Sequence, residues 1–347
     1  MKKINIGIIG LGRIGQIHFS NLKYCIPNAN LVMVADPQKA GEFNGVPIGT
    51  AEEVINHEKI EAVVICSPTD THSVYIEKCA LAGKDIFCEK PHDLSLERVV
   101  CTLESVKKAE VKLMLGFNRR FDGNFKKIQQ LVAQNKIGDP TILKITSRDP
   151  GPPPLEYLKS SGGMFMDMSI HDFDMARFIM GKEVEKVYAS AGVFSSNDVK
   201  EAGDIDTAII TLTFIDGSMA VIDNCRKAVY GYDQRLEVFG NKGMAQIDNN
   251  KHDTHLFFDQ SGSHGALPLD FFMDRYVDSY KNEMERFVEA LCKDEPVPVN
   301  GQDGLEAMMI ALAANLSVAE GRPVMLSEIM KMNRVKQEEM VNRSIEK

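Results

Sequence analysis

Three groups of residues have types and spacings that can do chemistry. The first is Gly10-Leu11-Gly12-Arg13-Ile14-Gly15. Gly10 permits a tight turn, Gly12 admits a pyrophosphate close to the backbone, and Gly15 allows close helix–strand packing. The N–H groups that open the following helix favour the phosphates. Gly10, Gly12, Arg13, Ile14 and Gly15 therefore read as cofactor-binding. Asp36 follows at the distance of about 20 residues where an acid takes the ribose hydroxyls. Its carboxylate repels a 2′-phosphate, and Pro37 and Gln38 bring no arginine to offset it, which favours NAD over NADP. Lys39 is the one nearby cation that argues the other way. The second group is Glu89-Lys90-Pro91, where an ammonium can stabilise an alkoxide developing on a substrate. A surface lysine beside a turn proline is the plainer alternative. The third lies in 162–180, where Asp167, His171 and Asp174 share one face at 100° per residue. Histidine suits a general base near neutral pH, and Asp167 one turn earlier can orient it or bind a neighbouring hydroxyl. A helix-surface Asp–His pair is one competitor. A metal site is another, but further ligands are lacking nearby, so no metal is expected.

Candidates for substrate recognition are Arg148 and Asp149, which open a proline-dense loop ending at Pro154, and Tyr230 and Tyr232, whose hydroxyls can bind a polyol while their rings cover C–H faces. The proline loop reads equally as a rigid connector. Asn118 and Arg120, near the domain boundary, can touch substrate or cofactor. His18, His57, His92, His252, His255 and His264 show no convincing partner set, and 252–255 reads as a polar turn.

These residues need a scaffold. Short apolar runs at 3–9, 30–36, 61–67, 84–88 and 111–117 alternate with helical stretches at 13–23, 51–57, 72–82 and 95–109. Strands buried on both faces with helical crossovers make a parallel sheet. The chain then changes character. Longer strands are expected at 140–148, 184–195, 206–215, 218–226, 234–240 and 243–248, with Asp216-Gly217 as a hairpin turn. In 207–214, Ala208, Ile210, Leu212 and Phe214 share one face, and Thr207, Ile209, Thr211 and Thr213 the other. Helices at 121–135, 162–180, 274–293 and 303–320 pack on one face of this open, largely antiparallel sheet. In 274–293, Tyr276, Tyr280, Met284, Phe287 and Leu291 recur at helical spacing. The uncovered, weakly polar face suggests a subunit interface. The expected fold class is α/β: a Rossmann dinucleotide-binding domain over 1–120 and an α/β domain for substrate binding and oligomerisation over 121–347.

Bulk properties agree with a two-domain globular enzyme of 347 residues. The formal net charge of −9 argues against non-specific nucleic-acid binding. Seven cysteines without a C-x-x-C pair fit a reducing cytosol rather than a disulfide or zinc framework. Glycines and Arg13 break the first apolar run too early for a signal peptide, and no run approaches the ~20 apolar residues that span a bilayer. A cytoplasmic enzyme without a membrane partner is expected.

With these motifs in order, the chain resembles the glucose-fructose oxidoreductase/inositol dehydrogenase (Gfo/Idh/MocA) family along nearly its whole length. The landmarks are the glycine turn, Ser67-Pro68-Thr69…His72, Glu89-Lys90-Pro91, Gly116-Phe117-Asn118-Arg119-Arg120-Phe121, and Gly162-Gly163…Asp167…His171-Asp172…Asp174. The resemblance implies that Ser67, Thr69, His72 and Glu89 line the cofactor groove with Arg120. It implies that Lys90 contacts substrate and nicotinamide and that Pro91 follows a cis bond. The Arg148-Asp149-Pro150 element and the 230–235 stretch match the inositol dehydrogenase branch. That branch implies NAD-dependent oxidation of myo-inositol to its 2-keto product in inositol catabolism, with scyllo-inositol or another sugar as alternatives, by a homotetramer. Some relatives bind the dinucleotide but act as regulators. Others use tightly held NAD as a recycled redox helper in hydratase- or glycosidase-like reactions. The presence of Lys90, Asp167 and His171 favours catalysis.

Overall fold

The structure, a computed structural model, describes residues 2–345, with side chains through 335. The first 121 residues give β1 (Ile4–Ile9), α1 (Arg13–Ser20), β2 (Ala29–Ala35), β3 (Glu42–Phe43), β4 (Val46–Gly49), α2 (Ala51–Asn56), β5 (Ala62–Ile65), α3 (His72–Leu81), β6 (Asp85–Glu89), α4 (Leu96–Ala109) and β7 (Leu113–Gly116). They form one sheet in the order β3-β4-β2-β1-β5-β6-β7. All of its pairings are parallel except β3 with β4. Each residue of β5 is fully buried, as a strand covered on both faces by helices must be. The β3–β4 hairpin was not anticipated. Its strands are too short for a hydrophobic period, and the available signal was Asn44-Gly45, both at positive φ, which suits a two-residue turn.

Next come α5 (Gly123–Ala133), β8 (Pro140–Arg148), α6 (Leu155–Ser160), α7 (Ile170–Met180), β9 (Val184–Gly192), α8 (Asn197–Glu201), β10 (Thr207–Phe214), β11 (Met219–Cys225), β12 (Asp233–Gly240), β13 (Gly243–Ile247), β14 (Leu256–Asp259), β15 (Gly262–Gly265) and α9 (Phe272–Arg275). The chain closes with α10 (Val277–Lys293), α11 (Gly301–Glu320), β16 (Val324–Met325) and α12 (Leu326–Ile345). The second sheet runs β13-β12-β8-β11-β10-β9-β16 and is antiparallel except where β8 meets β11. In β10 the residues from Ala208 to Phe214 at every second position are buried, and Ile209 and Thr211 are exposed. The register puts Met244, Phe239, Ile142 and Met219 in one cross-strand row of the open face. All four are exposed, together with Tyr188 and Ile209 on the same face.

Two compact units emerge, and the expected second domain over 121–347 needs correction. Unit one is Met1–Phe121 with Asp278–Met308; unit two is Asp122–Val277 with Met309–Lys347. The later segment joins the first sheet through Leu115 N–H donating to Val299 O at 3.1 Å, and Phe287 packs on Phe87 with centroids 5.7 Å apart. Phe87 on β6 needs a cover that the N-terminal helices do not supply alone. No helix among the described residues is long and apolar enough to cross a membrane.

Candidate active site

The glycine turn has the shape of a dinucleotide cradle. Gly10 has φ +96°, and a Cβ there would lie 2.6 Å from the Cys66 carbonyl. A Cβ on Gly15 would lie 2.0 Å from Gly10 O, so α1 can seat against the turn only with glycine. A Cβ on Gly12 would meet nothing within 4 Å, which leaves its backbone open to a ligand. Gly12 is the N-cap of α1, with no acid in the first turn to compete for a phosphate. Asp36 directly follows β2 and accepts from Leu11 N–H at 2.8 Å and Gln38 N–H at 2.9 Å, which fixes its carboxylate beside the turn. Lys39 places its ammonium 5.0 Å over the Phe43 ring. These residues fit an adenosine dinucleotide: Gly10, Gly12, Arg13, Ile14 and Gly15 for the pyrophosphate, Asp36 for the ribose.

The Ser67 and Lys90 loops are tied together. His72 has Nδ1 2.8 Å from Pro91 O and Nε2 2.8 Å from Ser67 O, and is buried. Ser67 Oγ lies 2.6 Å from Thr71 Oγ1, and Thr69 opens the short turn before α3. The Lys90–Pro91 bond is cis, and Lys90 is half-buried. The Glu89 side chain, 13% exposed, turns onto His18, with Nε2 donating to Oε1 at 2.6 Å. His18 thus has a partner, contrary to the sequence reading. Arg120 donates to Asp303 at 2.9 Å, and Asn118 is buried. His92 lies buried beside this loop, and burial, then His72, pulls its imidazole down to about 3.

In the second unit, Asp167 sits in a π-helical turn, Phe165–Ser169, that runs into α7 carrying His171. The wider turn breaks the 100° spacing assumed from sequence. Met164, Met168, Met175 and Ile179 are buried; Asp167 and His171 are half-buried, and Asp174, three residues after His171 on the regular helix α7, is fully buried. Tyr157 OH donates to Asp167 Oδ1 at 2.8 Å, and Arg226 Nη1 donates to Oδ2 at 3.2 Å. Arg226, 1% exposed, also reaches Asp204 Oδ2 at 3.5 Å, while Asp204 Oδ1 accepts from Met164 N–H at 2.9 Å. The turn and its carboxylate are therefore clamped from two sides.

Arg148 donates through Nε to Asp223 at 3.0 Å, pairs again through Nη2, and reaches Tyr230 OH at 3.1 Å. Its hydrogen bonds to Asp223 raise its already high pKa further. Tyr230 OH donates to Asp233 Oδ2 at 2.6 Å, and its burial, followed by that bond, pushes the phenol up. Burial opposes the Asp233 charge, yet bonds from Arg235, Tyr230 and Asn249 outweigh it and hold the carboxyl low. Asp149 is half-buried, and its backbone is fastened to Cys225 O and Ala228 N–H. Tyr232 is buried, its ring edge-on to Tyr276 at 6.0 Å, and thus less open to a ligand than the sequence reading supposed.

Arg226, Asp204, Tyr157 and Glu283 escaped sequence reasoning. A signal existed for Arg226: it continues the inward series Ala220, Ile222 and Asn224 of β11, and a cation on a buried face demands a buried counter-charge.

Residues 4–117 match the oxidoreductase family with an NAD-binding Rossmann fold, and 125–246 match the GFO/IDH/MocA C-terminal domain. A relative from Thermotoga maritima named myo-inositol 2-dehydrogenase is 47% identical over 94% of this chain and 100% of its own. The inositol 2-dehydrogenase of Rhizobium meliloti is 43% identical over 93% of this chain and 99% of its own. The scyllo-inositol dehydrogenase of Lactobacillus casei, solved with NAD(H) and scyllo-inositol, superposes with a TM-score of 0.86 at 32% identity, covering 94% of this chain and 100% of the other.

Proposed function

The chain belongs to the GFO/IDH/MocA oxidoreductase family, and on that premise we propose that it is an NAD-dependent dehydrogenase oxidising a ring hydroxyl of inositol, with myo-inositol to its 2-keto product as the preferred reaction. The observation that carries the chemistry is Asp167 fixed by hydrogen bonds from Tyr157 and Arg226, four residues before His171. The names of the relatives support the substrate class.

Bound NAD supplies the hydride acceptor; the protein supplies position and charge. His171 takes the hydroxyl proton as the carbon–hydrogen bond is broken. Asp167, tied to a buried guanidinium, is poorly placed to exchange protons itself and orients His171 or a neighbouring hydroxyl. Lys90 stabilises negative charge that develops on a substrate oxygen. Asn118, Arg148, Asp149 and Tyr230 supply polar contacts to the ring hydroxyls, and Tyr232 stiffens that region by packing. Ser67, Thr69, His72, Glu89 and Arg120 shape the cofactor loops. The exposed row from Met244 to Met219 is the surface through which copies of the chain associate as a tetramer.

The test is NADH formation at 340 nm, comparing NAD with NADP across myo-inositol, scyllo-inositol and glucose. Lys90→Ala and His171→Ala should each lower kcat by about 100-fold or more while leaving the dissociation constant of NAD within about threefold. Full turnover by Lys90→Ala would remove its assigned role. NAD binding without turnover on any polyol would support a regulatory protein instead.

A further inference from the structure

Next to Glu89 lies a buried cluster that the mechanism above does not use. It joins His18 on α1, Glu89 at the end of β6 and Glu283 on α10, all within unit one. Their ligating atoms lie within 4.8 Å of one another. His18 and Glu283 are fully buried. The His18 ring is wedged edge-on between Phe87 at 5.2 Å and Tyr280 at 5.8 Å. From the other side Gly116 presses so close that a Cβ there would lie 2.8 Å from Glu89 Oε2. Glu89 pairs with Gly116 across β6 and β7, and its backbone leads directly into Lys90.

We propose that Glu283 is a positioning residue for the Glu89-Lys90-Pro91 turn, closing a His18–Glu89–Glu283 triad as its uncharged member. This rests on the reading that Lys90 acts on the substrate oxygen. Two carboxylates this close, shielded from water, cannot both ionise. Glu89 accepts from His18 at 2.6 Å and keeps a partial opening to solvent, whereas Glu283 is fully buried. Neither oxygen of Glu283 has a hydrogen-bond partner that would stabilise an anion. Burial, then the Glu89 charge, pushes its carboxyl well above the ordinary range. Besides His18 and Glu89 it faces Cys66, whose buried thiol is itself pushed well up and supplies no cation. An ionised Glu283 would repel Glu89 and loosen the turn that presents Lys90.

A metal ion is the rival occupant of such a trio. The 2.6 Å between His18 Nε2 and Glu89 Oε1 argues for a hydrogen bond, because two ligands at about 2.0–2.2 Å from one ion stand farther apart at a tetrahedral angle.

The test compares the whole enzyme with Glu283→Gln and Glu283→Leu. Infrared difference spectra, wild type minus Glu283→Gln at pH 7, should show a protonated-carboxyl C=O band that shifts in D2O. This band reports the triad whether or not inositol is the substrate. Glu283→Gln keeps an uncharged side chain of the same shape and should retain kcat within about threefold, whereas Glu283→Leu should lose about 10- to 100-fold in kcat with NAD affinity little changed. Absence of the band would overturn the proposal, as would full kcat in Glu283→Leu or an equal loss in both variants. So would stoichiometric metal in the purified wild type that is absent from Glu283→Gln. Should Glu283→Leu fail to fold, the band and the kcat of Glu283→Gln decide.

Discussion

A single methyl group at Gly12 and at Gly15 should separate ligand binding from folding. At Gly12 the backbone is extended, with φ −66° and ψ −168°, which alanine adopts without strain. Nothing lies within 4 Å of the added Cβ. Alanine is a poorer N-cap than glycine by about 0.5–1 kcal/mol, but it restricts the unfolded chain by about 0.4–1 kcal/mol. The two effects offset, so the ligand-free Gly12→Ala protein should melt within about 0.5 kcal/mol of wild type. Its methyl then occupies the space a pyrophosphate needs. Overpacking of about 1–3 kcal/mol should fall almost wholly on NAD, raising its dissociation constant roughly 5- to 150-fold. At Gly15 the Cβ would sit 2.0 Å from Gly10 O and 2.9 Å from Gly10 C. Backbone cannot yield like a side-chain tip, so α1 or the turn must move. Helix propensity returns about 1 kcal/mol, which the displacement exceeds. Gly15→Ala should therefore lose both stability and NAD affinity. Calorimetric melting without ligand and titration of NAD by calorimetry read the two quantities separately. Gly12→Ala binding NAD within twofold of wild type would refute the assignment of its open backbone to the pyrophosphate.

Two further outcomes follow from buried charge. Arg226→Met removes a guanidinium 1% exposed from between Asp167 and Asp204, and breaking such a buried pair should cost about 3–5 kcal/mol; Glu52→Gln, which breaks the exposed pair with Lys78, should cost under about 1 kcal/mol. Equal losses in denaturant unfolding would show that the Arg226 clamp contributes no more than a surface pair. His92 has its pKa lowered from 6.5 to about 3 by burial and then by His72, so its stabilising effect is complete above pH 6.5 and declines as the pH falls toward 3. Replacing it by leucine should flatten the fall in melting temperature between pH 6.5 and 5; an unchanged slope would assign the acid sensitivity to other groups.

What the sequence alone determined is local and periodic. The buried strands of the first sheet are short apolar runs bounded by turn residues, and a fully covered strand reads that way without any knowledge of its neighbours. The alternation in 207–214 reports one covered and one open face because successive side chains point to opposite sides. Gly10, Gly12, Gly15 and Asp36 were legible because the constraint on each acts over a single turn. Lys90, Asp167 and His171 stood out by residue type and order. The tertiary structure decided whatever depends on contacts between distant segments. Asp167 and His171 lost their 100° spacing because a π-helical turn precedes α7, and no propensity marks that turn. Glu283 carried no signal in the sequence; α10 places it near His18 and Glu89, more than 190 residues away along the chain. Arg226 looked like the end of a strand until Asp167 and Asp204 met it. A buried charge is intelligible only with its counter-charge, and in this chain the two were supplied by different elements, brought together by packing rather than by sequence spacing.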